Sequence, residues 1–177
     1  VAGGGLVVPL DSGRVILVDW MTGAKGAPFQ PASDPVQKVT WTNPITVADD
    51  PDQVILADSR KKIYRLRAGE KIGELGSKDL EYEFLGHLAG VGDTVLGTTN
   101  GPSADFLVGF EMVSLNEKFK TLLDGRAVWG PVGAGKFCLV QTDDSTLRGF
   151  TTDGSQAFEV TLPPGRPVGE PLLVGNT

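Results

Sequence analysis

The sequence predicts an all-β protein in which a four-stranded antiparallel unit is repeated about four times. The 177 residues include 24 Gly and 12 Pro, a combined share well above that of average proteins, and both residue types disfavour the interior of a helix. Short apolar runs alternate with turn-forming residues along the whole chain, which is typical of short strands joined by tight turns. Similar segments also recur at a nearly constant spacing, and this periodicity defines the unit.

Each repeat is marked by a valine followed by small or turn-forming residues. The valines lie 46, 44, 41 and 42 residues apart, in Val1–Gly4, Val47–Asp50, Val91–Thr94, Val132–Gly135 and Val174–Thr177. Their mean spacing of about 43 residues fits the four short strands of one β-propeller blade. We therefore predict a single propeller segment over residues 1–177, with repeats at about 1–46, 47–90, 91–131 and 132–173.

Within each repeat, two apolar strands flank a tight turn. In the first repeat the strands are Leu6–Leu10 and Arg14–Asp19, and Asp11–Gly13 form the turn. The corresponding strand pairs in the later repeats are 53–57 with 62–67, 94–98 with 105–110, and 137–141 with 146–151. Strands that complete the blades are predicted at 42–47, 71–75, 157–162 and 168–174. A blade cannot bury both of its faces alone, so stacking against neighbouring blades supplies the core.

Two other architectures are less consistent with these features. A two-sheet sandwich also uses short strands and Gly/Pro-rich turns, but it gives no reason for four matching units. A helical turn fits only residues 75–88, where two glycines disfavour it.

The positions of the repeats relative to the chain ends leave two arrangements open. The chain opens at the end of a marker strand and closes with a complete copy of that strand, residues 168–174. Either this last strand completes the first blade of a small ring, or the chain is part of a larger propeller of seven or eight blades. We favour the second arrangement because four-bladed rings lie at the lower limit for propellers. It predicts an open strand edge that pairs with another copy or with the missing part.

The first repeat resembles the repeat of PQQ-like, or quinoprotein-type, propellers. That repeat has a strand, a turn with Gly, a second strand ending in Asp, then x-x-Thr-Gly and an aromatic residue further along. Here Gly13, Asp19, Thr22 and Gly23 match it, and Phe29 stands where the family usually carries Trp. The later repeats keep the turn but lose the Asp-x-x-Thr-Gly pattern, so the resemblance covers the whole chain at the level of fold.

This resemblance implies an eight-bladed propeller when complete and an extracytoplasmic or periplasmic location, but it does not imply quinone chemistry. Members that use the cofactor carry a calcium site of Glu, Asn and Asp, and often a vicinal disulfide. No residue of this chain matches those calcium ligands by motif, and its single cysteine excludes the disulfide. Many members are non-catalytic scaffolds, so we expect no cofactor.

Composition excludes two classes of partner. Sixteen Lys and Arg against 22 Asp and Glu give a net charge of −6, which repels phosphate backbones, so nucleic acid is not an expected partner. No apolar run approaches the roughly 20 residues that span a bilayer, so membrane insertion is not expected either. Cys138 lies in an apolar strand, where a free cysteine behaves as a small core residue.

Few residues suggest chemistry, and each has a simpler structural interpretation. His87 is the single histidine and has no partner for a two-His metal site. Gly133–Lys136 lacks the spacing of a phosphate-binding loop and precedes a strand. Asp49, Asp50 and Asp52 lack the closing Glu of a helix-loop-helix calcium loop. We therefore predict no catalytic, cofactor-binding or metal-binding residues.

Trp41 and Trp129 each lie shortly before a marker strand, so their positions recur with the repeat. Large aromatic residues at repeating positions usually pack between blades and donate the indole N–H to a backbone carbonyl. The alternative is that they form exposed anchors for a peptide or glycan at the propeller face.

These observations favour a non-enzymatic propeller scaffold that binds a protein or peptide partner, including another copy through an open edge strand. The alternative is a fragment of a PQQ-dependent, dehydrogenase-like enzyme whose cofactor site lies outside this sequence.

Overall fold

A computed structural model of the chain describes residues 4–31, 39–169, 171–172 and 174. These residues form fourteen β-strands joined by turns, and the described part of the chain contains no helix. The strands are β1 (Gly5–Pro9), β2 (Val15–Asp19), β3 (Ile45–Val47), β4 (Asp50–Asp58), β5 (Lys62–Arg67), β6 (Gly73–Asp79), β7 (Phe84–Val91), β8 (Thr94–Thr99), β9 (Phe106–Glu111), β10 (Glu117–Leu122), β11 (Ala127–Ala134), β12 (Phe137–Thr142), β13 (Thr146–Phe150) and β14 (Gln156–Thr161).

The strands form one partial and three complete antiparallel sheets, each connected in sequence order. Sheet I contains β1 and β2, sheet II β3 to β6, sheet III β7 to β10 and sheet IV β11 to β14. The markers Val47–Asp50, Val91–Thr94 and Val132–Gly135 lie at the first hairpins of sheets II, III and IV. The predicted all-β fold of repeated four-stranded units is thereby confirmed.

Sheet I has an additional, irregular strand beyond β2. Lys25 forms a bridge with Val18, and Phe29 forms one with Val15. The amide of Val15 donates to the carbonyl of Phe29, and the amide of Phe29 donates to the carbonyl of Val15. Residues 25–29 therefore lie beside β2 in the same way that β6 lies beside β5. In this correspondence β1 takes the position of β4.

Residues 1–84 and 112–115 form a first compact unit, in which sheets I and II share a hydrophobic core. The core includes Val15 and Leu17 from β2 with Leu56, Tyr64 and Leu66 from sheet II. Both faces of β4 and β5 contain buried apolar residues. This burial explains why β4 contains the continuous apolar run Val54–Ala57.

Residues 85–111 and 116–177 form a second compact unit, in which sheets III and IV pack together. Leu96 and Leu107 of sheet III meet Cys138, Val140 and Phe150 of sheet IV. All five are nearly or fully buried. Cys138 is therefore a core residue, as its sequence context predicts.

One predicted element differs from the structure, and one rejected alternative is absent from it. Residues 75–88, where the glycines disfavour a helical turn, contain the end of β6 and the start of β7. In the predicted strand 168–174, residues 168, 169, 171, 172 and 174 are not in a strand, and 170 and 173 lie outside the described residues. Residues 1–3 and 175–177 of the first and last markers also lie outside them. Within the described part of the chain, no helix is long and apolar enough to cross a membrane.

Candidate partner-binding surface

The buried charges of sheet II close a turn between β4 and β5. The Asp58 carboxylate accepts hydrogen bonds from the amides of Arg60 and Lys62, both at 3.0 Å, and from the Tyr64 hydroxyl at 3.0 Å. The Arg60 guanidinium lies 2.9 Å from the same carboxylate. Burial, and then the negative charge of Asp58, raise the pKa of Tyr64. The polar atoms of this cluster therefore take part in contacts that stabilise the turn between β4 and β5.

Sheet IV has a similar cluster between β12 and β13. Arg148 is buried and donates hydrogen bonds to Thr142 and, at 3.1 Å, to Asp144. The Thr142 hydroxyl also donates to Asp144 at 2.6 Å. The hydrogen bonds from Thr142 and Arg148 lower the pKa of Asp144 well below its usual range.

Asp105 connects sheets III and IV. Its carboxylate accepts a hydrogen bond from the Arg126 guanidinium at 2.7 Å and another from the amide of Ala127 at 2.9 Å. Arg126 also donates to the carbonyl of Gly101 at 2.8 Å. Asp105 and Arg126 thus have partners inside the protein, and their contacts connect sheet III to sheet IV.

The other residues considered for chemistry lie apart from one another. His87 is exposed in β7. Asp50 accepts hydrogen bonds from Gln53 at 2.6 Å and from Arg67 at 3.0 Å, next to the first hairpin of sheet II. Burial raises the pKa of the Cys138 thiol to about 12. Among the residues that the structure describes, no three His, Cys, Asp or Glu side chains are grouped to hold a metal ion.

The two tryptophans occupy different faces of their sheets. Trp41 is bridged to Asp58, and its ring packs edge-on against Tyr64 at 5.4 Å, within the core shared with sheet I. The expected hydrogen bond of its indole is absent, since Nε1 is buried with no acceptor among the described residues. In sheet IV the position of Trp41 is taken by Ala127, which pairs with Thr142 and packs in the core with sheet III.

Trp129 instead lies on the opposite face of sheet IV. It is half-buried and pairs with Gln141, and paired residues of an antiparallel sheet share a face. Gln141 pairs with Leu147, which pairs with Val160, so this row crosses the sheet. Contact of Trp129 with a partner stays a prediction, and the structure places it on the face that turns away from sheet III.

We call this face the distal face of sheet IV and define it by Trp129, Phe137, Leu147, Phe158 and Val160. Phe158 packs edge-on against Phe137 at 5.4 Å, and the Lys136 ammonium lies 5.2 Å from the Phe137 ring centre. Phe158 is 39% exposed and Val160 is 47% exposed. An exposed aromatic and aliphatic patch on a regular sheet suits contact with another protein surface.

Glycine fixes the position of Phe158 on this face. Phe158 pairs with Gly149, and a Cβ atom at Gly149 would lie 2.2 Å from the ring. In the row that contains Val160, Gln141 is buried and donates a hydrogen bond to the carbonyl of Gly165 at 3.1 Å, so the segment after β14 covers this part of the face. Phe158 and Val160 in the outer strand β14 stay exposed.

Of the five residues that define the distal face, the sequence singles out Trp129 alone as a possible anchor. The alternation of Phe158 and Val160 along β14, together with the register to Leu147, would have placed them on one side of the sheet. The repeat pattern predicts that the apolar residues of a blade pack between blades, with exposed anchors as the alternative for Trp41 and Trp129. Whether a face of a sheet is covered or exposed depends on whether a neighbouring sheet packs against it.

No family model matches the chain, and no curated protein matches it in sequence. Solved structures match its fold. BamB from Moraxella catarrhalis is 13% identical with a TM-score of 0.52, and the match covers 91% of this chain and 59% of BamB. Sqt1 from Saccharomyces cerevisiae is 8% identical with a TM-score of 0.67, covering 86% of this chain and 43% of Sqt1.

The fold is that of a partial β-propeller. A third match, BBS1N solved in complex with ARL6DN, is 18% identical with a TM-score of 0.65 and covers 90% of this chain and 50% of BBS1N. The chain thus spans 43% to 59% of the length of these three propellers. At these identities the likeness establishes the architecture alone.

Proposed function

We propose that the chain is a non-enzymatic propeller scaffold whose distal face of sheet IV binds a protein or peptide partner. The observation that carries this proposal is the exposure of Phe158 and Val160, at 39% and 47%, on one face of a four-stranded sheet. Aromatic residues in such positions are favoured binding anchors because they bury a large area and lose little side-chain entropy. A propeller of similar fold, BBS1N, has been solved with a protein partner.

The arrangement of charges is consistent with this role. Asp58, Asp105 and Asp144 each bind an arginine of their own or an adjacent turn. Groups used in this way stabilise loops and strand ends, and they leave the apolar distal face as the more suitable contact surface. We retain Trp129, at the start of the same cross-strand row, as an anchor of this surface.

Selection of peptide ligands from a displayed library on the immobilised chain tests the proposal. We expect ligands whose affinity falls about tenfold or more on Val160→Glu, because a charge would have to be buried in the interface. Leu122→Glu is the matched control, since Leu122 is 55% exposed in the outer strand of sheet III. A selection that yields no ligand, or only ligands insensitive to Val160→Glu, would contradict the proposal.

Titration of the full-length gene product with PQQ and Ca²⁺ tests the non-enzymatic part of the proposal, because the enzyme alternative places the cofactor site outside this sequence. A scaffold should leave the absorbance of the quinone unchanged and show no dye-linked dehydrogenase activity. We also propose an extracytoplasmic location, based on the repeat resemblance. Fractionation of the source cells with an antibody to the chain tests this location, and recovery in the cytoplasm would contradict it.

A further inference from the structure

The contact between sheets III and IV shows how one blade of this chain recognises the next. The Phe119 ring of β10 lies between Gly109 of its own sheet and Gly154 in the β13–β14 turn of sheet IV. A Cβ atom would lie 2.2 Å from the ring at Gly109 and 2.4 Å from it at Gly154, so both positions require glycine. The Thr121 hydroxyl donates to the carbonyl of Gly154 at 3.0 Å. One sheet thus supplies an aromatic ring and the other supplies a glycine turn.

Sheet IV repeats the half of this contact that supplies the ring. Phe158 pairs with Gly149 as Phe119 pairs with Gly109, and the ring approaches both glycines equally closely. Val160 takes the position of Thr121, two residues further along the strand. Phe158 and Val160 are nevertheless exposed, so this half of the contact remains available.

Sheet I repeats the half that supplies the turn. Gly23 has a φ of +70° and Gly154 has a φ of +83°. Each directly precedes the residue whose carbonyl accepts the hydrogen bond that closes the turn. No atom lies within 4 Å of the position that a Cβ atom would take at Gly23. Trp20 and Met21 in the same turn are 61% and 75% exposed.

Sheet I also has an open edge. Within the described part of the chain, β1 pairs only with β2, whereas β4, β8 and β12 each pair with a strand on both sides. An unpaired strand edge of this kind can accept a strand from another molecule. Among the described residues, β1 therefore lacks the second neighbour of β4, β8 and β12, and the Gly23 turn lacks the aromatic ring that Gly154 contacts.

We propose that a second copy of this chain docks head to tail, with the distal face of sheet IV against the Gly23 turn of the partner copy's sheet I. The chain carries both complementary halves on different sheets, so the contact joins two different surfaces. Contacts of this kind close into rings or extend as filaments. Each copy offers one distal face and one Gly23 turn, so a dimer that forms this contact twice leaves neither surface uncovered, and we expect a closed dimer.

This inference rests on the proposed function, because it names the partner of the distal face. Light scattering after gel filtration of the 177-residue chain tests it. We expect twice the mass of one chain at micromolar concentrations, and a dimer dissociation constant raised about tenfold or more by either Val160→Glu or Met21→Lys. Leu122→Glu should leave the dimer intact. Circular dichroism confirms that each variant is folded.

Mixing the two variants gives the decisive measurement. A closed head-to-tail dimer of one Val160→Glu chain and one Met21→Lys chain has one junction with the two new, opposite charges together and one native junction. We therefore expect the mixture to recover the dimer that neither variant forms alone. A wild-type monomer, a dimer insensitive to both variants, or a mixture that stays monomeric would overturn the inference. If peptide ligands then still depend on Val160, the proposed function stands with a different partner.

Discussion

At the scale of single residues, buried polar side chains stabilise the turns between strands. Asp58 is the clearest case, because its carboxylate is buried and has partners in Arg60, Lys62 and Tyr64. A buried carboxylate is stable only when its lone pairs are satisfied. Loss of a single partner should therefore have a measurable effect.

Tyr64→Phe should lower the free energy of unfolding by about 2 kcal/mol, because it removes a buried hydrogen bond to a charged acceptor. The aromatic packing with Trp41 and Phe29 is retained, since the ring stays in place. Urea unfolding followed by tryptophan fluorescence measures the change. Asp58→Ala should cost more than Tyr64→Phe, and an unchanged midpoint for Tyr64→Phe would show that the hydrogen bond contributes nothing.

The carboxylate of Asp144 should make the protein sensitive to acid. Hydrogen bonds from Thr142 and Arg148 lower its pKa in the folded state, so the unfolded chain binds a proton first as the pH falls. The stability that Asp144 provides is complete above the ordinary aspartate pKa of about 4 and is lost as the pH falls towards the lowered value. The effect should be modest, because the side chain is partly exposed.

Comparison of wild type with Asp144→Asn measures this contribution. The urea concentration at the midpoint of unfolding should be lower at pH 3 than at pH 7 for both proteins. The decrease should be smaller for Asp144→Asn, which has no carboxylate here to be protonated below the ordinary aspartate pKa of about 4. Asp93 and Asp153 also have lowered pKa values, so part of the acid sensitivity should remain. Equal falls in the two proteins would contradict the assignment to Asp144.

At the scale of strands, the Phe119 ring of sheet III lies close to Gly109 of its own sheet and to Gly154 of sheet IV. Gly109→Ala should destabilise the protein by about 2 to 3 kcal/mol, because the added methyl group must displace the Phe119 ring. In a Phe119→Ala background the same substitution should cost much less, since the ring is gone. Gly73→Ala is the matched control, because nothing lies within 4 Å of its added Cβ atom. Equal costs of Gly109→Ala in the two backgrounds would contradict this account.

The strand pattern itself was largely predictable from the sequence. The period of the valine markers identified the first hairpins of sheets II to IV, because each hairpin needs the same small residues after a strand. The environment of Cys138 was also predictable, since it follows from the apolar run around it.

The faces occupied by the two tryptophans were not predictable. The pairing of β11 with β12 shifts between Ala127 and Trp129 and again between Trp129 and Val132. Such bulges interrupt the alternation of side chains that assigns residues to faces. Trp41 and Trp129 also lie six and three residues before their marker valines, so the expected equivalence of the two positions was wrong, and the two side chains lie on opposite faces relative to the preceding sheet.

At the scale of the whole molecule, net charge should control how readily copies associate. Each chain carries a net charge of −6, so two copies repel each other. The proposed contact between Val160 and the Gly23 turn is apolar and adds no attraction between charges. Raising the ionic strength from about 0.01 M to 0.15 M shortens the Debye length from roughly 30 Å to 8 Å and screens this repulsion. The dimer dissociation constant should therefore decrease several-fold over this range, as measured by sedimentation equilibrium.

In Leu122→Glu, which adds a negative charge away from the interface, the decrease should be at least as large. A dimer that dissociates as salt is added would instead indicate an interface held by ion pairs, and it would contradict the apolar contact.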